Sequence, residues 1–160
     1  MGLTIRPATA ADEAVLVAYN AAIAHETEHK TLDPAVLAAG VRAVLADPAR
    51  GFYTVAENDA GEVVAQMMVT FEWSDWRNGW FWWVQSVYVR PDARRLGAFR
   101  ALYREAQARA AADPGVIGIR LYVERDNARA RATYRALGMA ETTYGVMEEY
   151  PLPGRTSAVR

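Results

Sequence analysis

The chain has 160 residues, of which 52% are hydrophobic, 23% charged and 11% aromatic. That is the balance of one globular domain and excludes a disordered or collagen-like chain. No apolar run reaches the roughly 18 residues of a membrane-spanning helix, and the absence of cysteine excludes disulfides, thiolate nucleophiles and cysteine-ligated zinc.

The formal net charge of -1 conceals an asymmetry. Residues 1–80 hold 5 Lys and Arg against 11 Asp and Glu, whereas residues 81–160 hold 13 against 8. The basic excess lies mostly between Arg90 and Arg135. It suggests a surface for a polyanion beside an acidic one that suits a cation, although an Arg-rich composition with a single lysine would give the same count. A pI near 6.1 argues against nucleic acid as the partner. The opening residues, Met1 to Arg6, lack the charged-then-apolar layout of a secretory signal and the Ser or Thr of a myristoylation site, so a cytoplasmic location is expected.

In chain order, residues 3–5 read as a short strand. Thr9 and Asp12 form a capping-box pattern ahead of a helix carrying Leu16, Tyr19 and Ile23 and ending near His29. Asp33-Pro34 starts a second helix, with Leu37, Val41, Val44 and Leu45 as its apolar stripe, and Asp47-Pro48 stops it. Residues 52–56 and 63–73 read as a hairpin around Asn58-Asp59-Ala60-Gly61. A polar-aromatic loop leads to a strand at 80–90, apolar on both faces and therefore central. A helix from about Gly97 buries Phe99, Leu102, Tyr103, Ala106 and Ala110. Residues 116–123 read as a strand. Asn127 opens a helix that Gly138 closes. Short strands at 139–143 and 146–150 complete a domain of residues 1–152, followed by a loose tail at 153–160. The order predicts an α/β (α+β) fold in which helices pack on a mixed sheet.

The chemistry concentrates in residues 87–100. A central strand (Val87, Tyr88, Val89) runs through a basic turn (Arg94, Arg95, Leu96, Gly97) into a helix beginning Ala98, Phe99, Arg100. Free N–H groups and the positive end of the helix dipole, beside two arginines, suit a pyrophosphate, and Gly97 allows close backbone approach. A plain strand-to-helix turn with solvated arginines reads equally well from this segment alone. A second segment follows the next strand, with Asn127, Ala130, Tyr134, Leu137 and Gly138 at fixed spacing.

Together these segments resemble the GNAT superfamily of acetyl-CoA-dependent N-acetyltransferases. Arg94 to Phe99 occupies the family's Q/R-x-x-G-x-G/A coenzyme loop, and Asn127, Ala130 and Tyr134 occupy its later N-x-x-A-x-x-x-Y run. The close match spans residues 80–140. Phe99 stands where the family prefers Gly or Ala, and its shared face with Leu102 and Ala106 predicts that it points inward. Gln85 stands where many relatives carry a glutamate base. Gln cannot take a proton, but it can orient a water.

The resemblance implies a mostly antiparallel central sheet with helices on both faces, acetyl-CoA as co-substrate without a metal, and a small-molecule amine as acceptor. It also implies that pantetheine lies along Val87 and Val89, that Asn127 belongs to the coenzyme site, and that Tyr134 protonates the departing thiolate. A phenol with its ordinary pKa of about 10 holds that proton at neutral pH. The base is open among Glu72, Glu26, Glu28, Asp75 and Glu124. Trp73 and Trp76, flanking Asp75, would wall an ammonium, with Glu26 and Glu28 adding charge. The five tryptophans within residues 73–83 equally suit a homodimer contact.

Two other readings stand beside this one. The fold would serve as an acyl-CoA sensor or partner domain without efficient turnover. Alternatively, His25-Glu26-Thr27-Glu28-His29 spells the zinc-hydrolase H-E-x-x-H pattern, but at a helix end and with no further histidine in the chain.

Overall fold

The computed structural model describes residues 2–159; Met1 and Arg160, the outer ends of the expected domain and tail, lie outside them. The chain opens with β1 (Thr4–Pro7) and a single 3-10 turn at Ala10–Asp12. Asp12 organises this start. Its carboxylate accepts the Thr9 N–H at 2.7 Å and pairs with both terminal nitrogens of Arg6, at 2.8 and 2.9 Å. The guanidinium holds the Asp12 carboxyl down from an ordinary 3.8 to about 2.

Helix α1 (Glu13–Glu28) follows, with His29 in the left-handed conformation at its C-terminal cap. The Asp33 side chain caps α2 (Pro34–Ala46) by accepting the Ala35 and Val36 N–H groups. Strands β2 (Phe52–Glu57), β3 (Val63–Ser74) and β4 (Gly79–Val89) form an antiparallel meander. After α3 (Ala98–Ala112), strand β5 (Val116–Leu121) returns parallel to β4, and α4 (Ala128–Ala136) comes last. The five strands lie in the order β1-β2-β3-β4-β5, so β4 is interior and the sheet is mostly antiparallel.

Each face of the sheet carries its own core. Met67, Val69, Trp82 and Val84 pack with Leu102, Tyr103 and Ala106 of α3. On the other face, Tyr53 and Val55 pack with Leu16 of α1 and Val41 of α2. Residues of one strand thus alternate between two helical layers, as Val55 and Ala56 of β2 do, and the interior β4 reads as apolar on both faces.

The expected strands at 139–143 and 146–150 do not form: after α4 the described residues contain no strand, and β5 is an edge. The alternation of apolar and polar residues there is real, but no neighbouring strand supplies the ladder that a strand requires. Tyr144, Val146, Met147, Tyr150 and Leu152 are exposed as a result. Farther on, Val159 bridges to Leu32, and the Asp33 N–H donates to the Ala158 carbonyl at 3.0 Å.

Candidate active site

Strand β5 accompanies β4 only from Trp80 to Val84, where Val84 faces Leu121. Residues Gln85 to Val89 continue without a strand on that side. An interior strand with an exposed half-edge is a ready template for an extended ligand, because its backbone groups there lack partners. The edge begins at an irregularity. Between Gln66 and Met68, two steps of β3 face three steps of β4, from Tyr88 to Gln85. The extra residue makes a bulge, with Ser86 in the left-handed region at φ 49°.

The open edge leads into the basic turn. Arg95 and Gly97 both adopt positive φ, 69° and 86°. A Cβ on Gly97 would meet nothing within 4 Å, so glycine is required there for its conformation rather than for space. Helix α3 starts at the next residue with no side-chain cap. Its first N–H groups therefore face outward at the positive end of the dipole, as an anion site needs.

Arg94 is engaged elsewhere. Its terminal nitrogen pairs with Glu26 of α1 at 2.6 Å, and its Nε donates to the Val89 carbonyl at 3.0 Å. Glu26 also accepts the Tyr88 hydroxyl at 3.1 Å, and the Arg94 hydrogen bond holds its carboxyl below the usual range.

A large cleft, about 1080 Å³, opens where β5, α4 and the segment after α4 meet. Glu72, Trp83, Arg120, Tyr134, Glu124 and Met147 are among its lining residues. Tyr134 meets Phe99 edge-on, with ring centroids 5.7 Å apart. Phe99 itself packs against the α3-side core, as its spacing predicts, and so braces Tyr134. Burial pushes the Tyr134 phenol above its ordinary value.

Comparisons with a family model and with solved structures give the family and the fold. A family model described as the acetyltransferase (GNAT) family matches residues 16–139. The chain belongs to the GNAT acetyltransferase family.

A possible acetyltransferase from Clostridium difficile 630 is 44% identical to this GNAT chain, with a TM-score of 0.85 over 92% of this chain and 96% of that one. Glucosamine-6-phosphate N-acetyltransferase from Arabidopsis thaliana shares the fold at 14% identity, with a TM-score of 0.73 over 94% and 99% of the two chains. AAC(6')-Iy, solved with a bisubstrate analog in which CoA is joined to monomethyl-acetylneamine, also shares it at 14% identity. Its TM-score is 0.74, over 93% of this chain and 98% of that one. No curated protein matches the chain.

The GNAT fold sorts the residues singled out in the sequence. Val87, Tyr88 and Val89 lie along the open edge and the turn from Arg94 to Arg100 follows it. Asn127 accepts the Ala130 N–H at 3.0 Å as the cap of α4. Among the candidate carboxylates, Glu72 and Glu124 line the cleft with Tyr134. Glu72 is already engaged: it accepts Trp83 Nε1 at 3.1 Å and pairs with Arg120 at 2.7 Å. Gln85 donates to the Thr70 hydroxyl.

The remaining candidates lie elsewhere. Glu26 sits at the basic turn, and Glu28 pairs with Lys30. Trp73, Asp75 and Trp76 are at the far tip of the β3–β4 hairpin, outside the cleft's lining. Trp73 packs on Trp80 and Trp76 is 85% exposed. His29 has left the helix that carries His25. Among the described residues, no group of three or more His, Asp or Glu gathers in a metal-binding arrangement. Trp83, Arg120, Tyr122 and Arg131 join the cleft without any signal in the sequence, because three separate elements bring them there.

Proposed function

We propose that this GNAT chain transfers an acetyl group from acetyl-CoA to a primary amine of a small molecule. The observation that carries the reading is the open β4 edge from Gln85 to Val89, leading through a 3-10 turn at Pro91–Ala93 into the Arg94–Gly97 turn and the uncapped start of α3. The edge fits an extended pantetheine bonded to the backbone at Val87 and Val89, and the turn with Arg95 and Arg100 fits the pyrophosphate. Arg94 would exchange Glu26 for a phosphate.

The amine nitrogen attacks the thioester carbonyl, forming C–N while C–S breaks. A backbone N–H at the bulge polarises the carbonyl oxygen. The amine proton passes to a cleft carboxylate, Glu72 or Glu124, directly or through water positioned by Gln85. Tyr134 gives its proton to the departing thiolate. The cleft's carboxylates favour a cationic acceptor, with Trp83 and Tyr122 supplying aromatic faces.

A melting curve with saturating acetyl-CoA tests the coenzyme half of this reading. At about 100 times its Kd, the ligand stabilises by about 2.7 kcal/mol, a rise of roughly 5–10 °C for a chain of this size. An absent shift overturns the reading. A shift without turnover of any amine in a panel points instead to an acyl-CoA sensor.

The partner we expect besides the amine is a second copy of the chain. The segment from Tyr144 to Leu152 exposes several apolar side chains, and among the described residues no backbone hydrogen bond joins it to the β5 edge. Such an edge invites pairing with another chain.

A further inference from the structure

The bulge in β4 rests on a buried polar group. Gln66 of β3 is fully buried, and its Nε2 donates to the Ser86 carbonyl at 3.0 Å. That bond orients the amide, because only the NH2 end can serve a carbonyl. The Gln66 Oε1 then has no hydrogen-bond partner among the described residues. On the same face of the sheet, the buried Tyr53 hydroxyl accepts Asn20 Nδ2 at 3.2 Å, and Asn20 also donates to the Leu16 carbonyl at 2.9 Å. Helix α1, β2 and β3 thus each contribute a buried polar side chain on that face.

Stability alone is a weak reason for glutamine at this position. A buried amide with one unsatisfied end is costly, which offsets what its bond to the Ser86 carbonyl contributes. What the amide does accomplish is local. Ser86 holds a left-handed conformation that a non-glycine residue adopts at a cost, and such conformations persist only where surrounding contacts enforce them. The Gln66 bond is made to the very residue that carries this strain.

We propose that Gln66 is a positioning residue for acetyl transfer: it locks the β4 bulge at Ser86 and thereby aims the adjoining backbone at the thioester carbonyl. The assignment rests on the acetyl-CoA reading above. It assigns Gln66 no contact with substrate and no proton to transfer. Loss of the amide lets Ser86 relax toward ordinary extended backbone, which shifts the N–H groups at the start of the open edge. A donor misplaced by a fraction of an ångström still permits binding through the pyrophosphate turn, but polarises the carbonyl less.

The test compares wild type with Gln66→Met, which roughly conserves volume, and with Gln66→Met combined with Ser86→Gly. Acetyl-CoA labelled with carbon-13 at the thioester carbonyl reads polarisation by NMR without needing the acceptor amine. In the wild type the bound carbonyl resonance should move downfield. In Gln66→Met it should return toward its free value, with Kd little changed. Glycine adopts positive φ freely, so the double variant should recover much of the shift. An unchanged carbonyl shift in folded Gln66→Met overturns the proposal, as does a double variant that recovers nothing, since the amide would then act through packing alone.

Backbone NMR couplings at residue 86 provide a readout that needs no ligand. Retention of positive φ in Gln66→Met also overturns the proposal. A wild type that binds no acetyl-CoA overturns the acetyl-CoA reading instead, while these couplings still decide whether Gln66 holds the bulge.

Discussion

Tyr134 holds its proton more firmly than an exposed tyrosine, because burial beside Phe99 disfavours the phenolate. An acid for a thiolate leaving group benefits from staying protonated until the sulfur departs. Tyr134→Phe keeps the ring and its edge-on contact while removing only the hydroxyl. It should lower kcat by about 100-fold, the lower range for a positioned proton donor, with little effect on KM for acetyl-CoA; steady-state kinetics on a reactive amine checks this. A rise in KM at unchanged kcat would assign the hydroxyl to binding. The carboxylates divide in the same way. Glu72 is bound by Arg120 and Trp83, whereas Glu124 has no ion pair among the described residues. Glu124→Gln and Glu72→Gln, compared by pH–rate profile, should abolish the acidic limb in the variant that loses the base.

At the scale of elements, two turns matter most, one at the start of α3 and one at the start of α1. Gly97 sits at φ 86° with open space around it, so Gly97→Ala introduces conformational strain and no clash. It should cost about 1 kcal/mol of stability and weaken acetyl-CoA binding, measured by melting and by calorimetric titration. The Arg6–Asp12–Thr9 cluster closes the start of α1. The folded-state pKa of Asp12, about 2, lies below its ordinary 3.8. Its contribution is therefore complete above the unfolded value and is lost as pH falls through the folded one. That contribution is about 2 kcal/mol. Asp12→Asn should show this loss in urea unfolding at pH 7, and the difference from wild type should shrink between pH 4 and pH 2. The β4 bulge shows as a slip in alternation: Trp82 and Val84 pack into the α3-side core, and then Val87 and Val89 do, three positions on rather than two. A strand apolar on both faces hides that slip in the sequence, and the bond from Gln66 that holds it crosses from another strand.

For the whole molecule, charge and edges are the relevant quantities. A coenzyme held by a basic turn in a chain of nearly zero net charge depends on local rather than global field. KM for acetyl-CoA should therefore rise steadily between 0.05 and 0.5 M salt, at roughly constant kcat, as the Debye length contracts below about 10 Å. The open β5 edge and the exposed segment from Tyr144 to Leu152 predict a dimer in sedimentation velocity. Met147→Asp, at a side chain 99% exposed, should leave folding intact and shift the equilibrium to monomer. An unchanged dimer would assign the contact to another face.

The sequence by itself determined the order of the elements up to α4, the interior place of β4, the basic turn and the spacing that put Tyr134 on α4. Each is local: apolar periodicity, capping side chains and turn residues act within a few positions of themselves. It also implied the family, because both motifs lie within short contiguous segments. Only the tertiary structure decided that β5 stops at Leu121, opposite Val84, and leaves an edge open, that Glu72 is held by Arg120, and that Trp73 and Trp76 at the hairpin tip lie outside the cleft. It alone left residues 139–150 without a ladder. These are pairings between segments distant in sequence, decided by which backbone groups find partners once the sheet has assembled.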